Sequence, residues 1–250
     1  MKAGEYEVEK CRRASDKYSI NRRKEAEMLS PILLSLKIAA IATIFSFLLG
    51  VFFAYVINKK NIPGKNLLET LLILPMVLPP SVLGYLLLIS FGKRGPIGEF
   101  LLDHFQIQIV FTWVGAVIAS CIVSLPLMYQ NAKSALISLD PLYERAARTL
   151  GSSEWKIFIT VIFPLAWPGI ISGIVLSFAR AIGEFGATLM IAGNIPGKTQ
   201  TIPTAIYFAV ESGNTELANR LVLIMTVFSF LLIFCLNAWL KKKNYIGRQS

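Results

Sequence analysis

Apolar residues gather in long runs along most of this chain, broken by short polar stretches. Five segments carry no charged side chain: 38–58, 70–92, 105–132, 157–179 and 221–240. Each is long enough to cross a bilayer, since about 20 helical residues at 1.5 Å rise cover a hydrocarbon core of roughly 30 Å. Alternation of period two is absent, which argues against a barrel and for helices. The first run reaches back to Met28, with Lys37 either snorkelling or facing protein. The fourth continues through RAIGEFGATLMIAG to Gly193. The pattern therefore predicts an all-α membrane protein with spans at about 28–58, 66–92, 105–132, 157–193 and 219–240. These lie in one transmembrane domain over 28–243, with a polar extension at 1–27 and a tail at 244–250.

Composition agrees with this reading. Apolar residues make up 54% of the chain and charged ones only 16%, with mean hydropathy +0.59, against about 25% charged in a typical soluble domain. Cys11, Cys121 and Cys235 match neither a disulfide framework nor a zinc site. His104 is the single histidine, and no GxSxG or HExxH string occurs. No catalytic residue and no metal site is expected.

The formal charge of +10 sorts by side rather than marking a nucleic-acid surface. Lys59, Lys60, Lys65, Lys133, Arg145, Arg148, Lys156, Lys241, Lys242, Lys243 and Arg248 fall on one side of the predicted spans. Only Lys93, Arg94, Lys198 and Arg220 fall on the other. Short loops rich in Lys and Arg stay in the cytoplasm, so five spans place the N-terminus outside and the C-terminus inside. Residues 1–27 conflict with this, because they are densely charged and lack the apolar centre of a signal peptide. Two readings stay open: a disordered tail, or upstream sequence with translation beginning at Met28.

One cytoplasmic stretch interrupts the hydrophobic pattern: DPLYERAARTLGSSEWKIFITVIFP, 140–164. Asp140 before Pro141 opens a helix well. Leu142, Ala146 and Leu150, with Ala147, fall near one face, and Glu144, Arg145 and Arg148 lie around the rest. Gly151 ends the helix, because glycine takes the left-handed conformation at low cost. Ser152 or Ser153 can then cap a second helix, with Glu154 in its first turn. A helix offering alanines between charges suits a groove on a soluble partner better than a membrane surface.

This stretch resembles the cytoplasmic signature of ABC-importer permeases, E-A-A, three residues, G, nine residues, I-x-L-P. Ala146, Ala147, Gly151, Val161, Phe163 and Pro164 sit in that register, and Arg145 replaces the acidic residue, with Glu144 one place earlier. LPMVLPPSVLGYLLL (74–88), ARTLGSS (147–153) and ARAIGEFGATLMIAGNIPGKTQTIPTAIY (179–207) are similar to the molybdate permease branch. Sulfate and tungstate permeases share the architecture. The resemblance implies a type I importer fold of five core transmembrane helices with a cytoplasmic coupling helix. Leu142, Glu144, Arg145, Ala146, Ala147, Arg148, Leu150 and Gly151 would then form the contact with a separate ATPase. It further implies a second copy of this chain, a cytoplasmic ABC ATPase dimer, an external molybdate-binding protein, and ATP with magnesium bound by the ATPase rather than here.

Other residues keep two readings. Arg180 and Glu184, four apart, are either an ion pair that positions a helix or an attraction for a dianion on the pathway. Pro75, Pro79 and Pro80 either kink the second span or shape a gate. AGNIPGKT (192–199) loosely matches a phosphate loop but follows a membrane span instead of a strand, so it reads as an external turn. An ion-coupled transporter is the rival reading, and five spans do not divide into the repeats that class often shows. An intramembrane enzyme would have only Arg180 and Glu184 to work with.

Overall fold

A computed structural model of the chain describes the backbone of residues 2–59 and 63–246 and the side chains of 27–58 and 63–241. The expectations for 1–27 and 244–250 fall almost wholly outside the described side chains. Among the described residues the fold is helical, with no strand. In chain order the helices are α1 (Lys2–Lys59), α2 (Lys65–Val77), α3 (Pro80–Phe91), α4 (Pro96–Phe105), α5 (Trp113–Ile137) and α6 (Pro141–Thr149). Then follow α7 (Glu154–Ile157), a π-turn (Phe158–Ile162), α8 (Phe163–Ile182), α9 (Gly186–Ala192), α10 (Ile202–Glu211) and α11 (Thr215–Ile246).

Among the described residues four helical stretches are long and apolar enough to cross a membrane: Glu27–Asn58, Trp113–Ile137, Glu154–Ile182 and Thr215–Lys241. A fifth candidate is the pair α2 and α3, bent by 114° at the break between them. The second segment, expected at 66–92 with a disturbance at its prolines, is therefore two half-length helices either side of a bend. Adjacent prolines cause the break. Leu78 precedes Pro79 and Pro79 precedes Pro80, and both take extended backbone, with ψ of 140° and 136°. A residue before proline is pushed out of the α region in this way. Pro75, by contrast, stays within α2 without ending it.

Two further spans change their limits. The third span begins at Trp113 rather than 105, because Gln106 closes α4 in the left-handed conformation and Thr112 caps α5, its hydroxyl accepting from the Gly115 N–H. The fourth starts at Glu154 and stops at Ile182, with Gly183–Phe185 separating it from α9, so the continuous helix expected to Gly193 does not form. The π-turn inside it answers Pro164: the Phe163 N–H reaches back to the Phe158 carbonyl, five residues earlier.

The core is built on α5, which packs against α1 on one side and α8 on the other. Small residues permit the close approach, as expected where lipid supplies no hydrophobic drive between helices. A Cβ added to Gly50 would sit 2.7 Å from the Met128 side chain, and one added to Gly169 would sit 2.5 Å from the Ala135 Cβ. At the three-helix crossing the Ser46 and Ser124 hydroxyls bond at 2.7 Å, and Ser177 donates to the Ser124 carbonyl. Large apolar side chains such as Leu33, Phe52, Leu67, Phe230 and Phe234 point outward. That is the inverse of a water-facing surface and fits a chain bathed in lipid. Lys37 faces protein at its tip, its ammonium 4.0 Å above the Trp113 ring.

Candidate functional site

Two regions hold the residues singled out in the sequence, and α8 joins them. The first is the surface helix α6. Asp140 caps it, the carboxylate accepting from the Leu142 N–H at 2.8 Å, and Pro141 takes the first helical position. Gly151 turns the chain at φ +76°, with the Gly151 N–H on the Arg148 carbonyl and the Ser152 N–H on the Ala147 carbonyl. Ser153 occupies the cap position of α7 but makes no side-chain cap bond, so neither serine plays the capping part expected of it by that route.

Arg148 holds this turn shut. Its guanidinium donates to Glu144 at 2.6 Å within α6 and to Glu154 at 2.8 Å in the first turn of α7. The two carboxylates, Glu154 first and Glu144 second, keep the guanidinium protonated beyond even its usual range. The clasp fixes α6 relative to the helix that becomes α8. Leu142 is 65% exposed and Leu150 85% exposed, with Tyr143, Arg145 and Ala146 also at the surface and Ala147 half-buried. The face predicted from the spacing thus looks away from the spans. Behind α6 lies a cleft of about 460 Å³ between it and the spans, bordered by Tyr55, Asn58, Leu136, Tyr143, Val161 and Leu165.

The second region lies at the other end of α8, about 30 Å away by helix rise, where the bend between α2 and α3 meets the gap between α8 and α9. Arg180 Nη1 pairs with Glu184 Oε2 at 2.8 Å. Glu184 is 3% exposed, and its other oxygen accepts from the Ala187 N–H at 2.9 Å, inside the first turn of α9. One carboxylate therefore ties the end of α8 to the start of α9. Gly186 lies against Pro80, and Gly84 of α3 lies against Ala187 and Met190 of α9. The break in the second span is thus seated on the break after the fourth. Pro79 and Pro80 join the Arg180–Glu184 pair in one neighbourhood, while Pro75 stays inside α2.

Sequence reasoning missed Gly84 and Gly186 as contact residues and did not foresee α4 or α10. Glycines facing a proline pair were the available signal, but nothing in the sequence says that they meet. The 192–199 string joins α9 to α10, helix to helix. The Ile195 carbonyl accepts from the Lys198, Thr199 and Gln200 N–H groups. That backbone is folded on itself, unlike a phosphate loop that aims its N–H groups outward from a strand-to-helix turn. Among the described residues no group of His, Cys, Asp or Glu could hold a metal.

Comparison with known proteins agrees with this architecture. The profile of the family described as "Binding-protein-dependent transport system inner membrane component" matches residues 46–242. The chain is 46% identical over 211 residues to the molybdenum transport system permease protein ModB of Escherichia coli (strain K12), covering 84% of this chain and 92% of that one. It is 35% identical over 199 residues to the sulfate transport system permease protein CysT of the same organism, covering 80% and 72%. Among solved structures it is similar to a chain of the MetNI methionine ABC transporter in an inward facing conformation. There the TM-score is 0.66 at 14% identity, over 86% of this chain and 95% of that one. With the family profile spanning residues 46–242 and a permease of that kind 46% identical across 84% of the chain, this protein belongs to the binding-protein-dependent inner membrane components, the permeases of ABC importers.

Proposed function

We propose that this chain moves molybdate into the cytoplasm as the membrane subunit of an ATP-driven importer. The observation that carries the substrate is 46% identity to a molybdenum permease across 92% of that protein, against 35% to a sulfate permease. Two copies of the chain form the pathway. Two cytoplasmic ATPase subunits bind ATP and magnesium, and an external binding protein delivers the oxyanion. The chain itself catalyses no reaction. The bias of Lys and Arg supports a cytoplasmic α6 and C-terminus and an external N-terminus.

The geometry supports a lever. Leu142, Ala146 and Leu150 offer an exposed apolar strip to a groove on the ATPase, with Glu144, Arg145 and Ala147 beside it. Arg148 and the Gly151 turn make α6 rigid with α8, so a push on α6 reaches the Arg180–Glu184 corner as a rigid-body movement. At that corner Arg180, whose side chain keeps 36% of its surface exposed, is the cation an oxyanion would meet. Pro79 and Pro80 supply the bend against which α9 turns.

Reconstitution tests this reading. The chain is placed in liposomes with its ATPase and loaded binding protein, and molybdate uptake is followed with sulfate and tungstate as competitors. ATP-dependent molybdate uptake is expected. Uptake of sulfate in its place overturns the substrate, and uptake by the chain alone overturns the ATP-driven mechanism.

A further inference from the structure

One strip of α2 joins it to the bundle. None of its residues is fully buried. Lys65, Glu69, Leu72 and Ile73, at i, i+4, i+7 and i+8, are half-buried. Leu72 and Ile73 pack against the core that α5 shares with α1 and α8, while Leu67, Leu71 and Val77 are exposed. Both ends of α2 are turns: Gly64 precedes it at φ +82°, and Leu78 and Pro79 follow it in extended backbone. Boundaries of this kind let a helix swing as one body.

The polar part of the strip is an ion pair. Lys133 of α5 donates to both Glu69 oxygens at 2.8 Å. The side chains keep only 27% and 20% of their surface exposed, so the pair is partly sheltered. Tyr129, one turn earlier on α5 and fully buried, holds its ring 5.9 Å from the ammonium, within cation–π range, and steadies Lys133 from behind. The pair joins helices 64 residues apart, whereas Arg148–Glu154 closes over six residues and Arg180–Glu184 over four. Lys133 stands four residues before the end of α5, and only residues 138–140 separate α5 from α6.

We infer that Glu69 and Lys133 are positioning residues for transport: through them α5 carries the movement of α6 to α2, which swings about the bend at Leu78–Pro80. Apolar contact is non-directional, so Leu72 and Ile73 alone set no register between the two helices. Charge-assisted hydrogen bonds to both carboxylate oxygens do set it. A push on α6 then reaches the contact of Pro80 with Gly186 by a second route, separate from the one through α8. The inference rests on the ATP-driven reading given above, but not on which oxyanion is carried.

The first test is a distance measurement by pulsed electron paramagnetic resonance on the full chain bound to its ATPase. Its own cysteines are replaced by serine, and labelled chain is diluted so that each complex carries one labelled copy. Nitroxides go on the exposed positions Leu68 and Ile137 to report α2 against α5, or on Leu68 and Leu86 to report α2 against α3. On adding ATP and magnesium the 68–137 distance is expected to hold while the 68–86 distance shifts. A changed 68–137 distance, or an unchanged 68–86 distance, overturns the inference. No oxyanion is needed, so this result is read separately from the molybdate assignment.

The second test is molybdate uptake in proteoliposomes. Glu69→Gln and Lys133→Gln should each lower molybdate transported per ATP hydrolysed by about fivefold or more, the size of an ordinary coupling between sites. Glu69→Lys combined with Lys133→Glu restores the pair and should restore that ratio. A pair that merely holds the fold would lower Tm and leave the ratio alone. An unchanged ratio in the single variants, or a reversed pair no better than either of them, overturns the inference. Should these variants not accumulate, the distance measurement decides, because it keeps both side chains.

Discussion

Gly186 backs onto Pro80: a Cβ built on the glycine would lie 2.7 Å from the proline Cβ. The proline ring cannot swing aside as a long side chain would. Gly186→Ala must therefore displace α3 from α9, at an overpacking cost of about 1–3 kcal/mol. The expected result is a lower Tm in detergent. Gly183→Ala is the control, since its new methyl would meet nothing nearer than 3.6 Å. Equal Tm values for the two variants would show that α3 and α9 are not seated on one another.

Arg180 and Glu184 form a pair whose carboxylate is buried. Removing one partner from a buried pair costs more than removing both charges, because the remaining charge stays desolvated. Arg180→Gln alone should therefore lower Tm more than Arg180→Gln with Glu184→Gln. The double variant keeps an acceptor for the Ala187 N–H. If thermal melts instead show additive losses, the coupling between the two side chains is absent. The same variants in the uptake assay separate positioning from a pathway role. Normal uptake by Arg180→Gln at normal protein level removes Arg180 from the pathway.

Gly151 turns α6 toward α7 at φ +76°, with open space where a side chain would go. The cost of a substitution there is therefore backbone strain alone, about 1–2 kcal/mol for an ordinary residue in the left-handed region. Gly151→Val should lower Tm and weaken co-purification with the ATPase. Gly151→Asn should do so much less, since Asn tolerates that conformation. Equal effects from Val and Asn would point away from backbone strain.

Arg148 crosses the same turn from the solvent side. Exposed ion pairs add little to stability, so Arg148→Ala should leave Tm unchanged. Its expected effect is on coupling: more ATP hydrolysed per molybdate transported, measured in proteoliposomes. Full coupling in Arg148→Ala would mean that the clasp transmits nothing.

Much of this was legible in the sequence. Hydropathy located the long spans because lipid selects composition over whole helices, and the Asp140–Pro141 and Gly151 signals bounded α6 because caps act on neighbouring backbone. The exposed strip of Leu142, Ala146 and Leu150 followed from helical spacing alone. Pro79 and Pro80 announced a disturbance in the second span, but a proline pair states only that hydrogen bonds are lost. The angle of 114° depends on what receives the two halves.

The chain's own order of residues thus determined a helical membrane protein with a capped surface knob, because burial in lipid and helix capping are read locally. Tertiary structure alone decided that Pro80 rests on Gly186, and that the Glu184 carboxylate serves both Arg180 and the first turn of α9. Those are contacts between separate helices, or across a break in one. Local patterning constrains each helix, while the meeting of helices is settled by shape and by the need to satisfy buried polar groups once they are packed together.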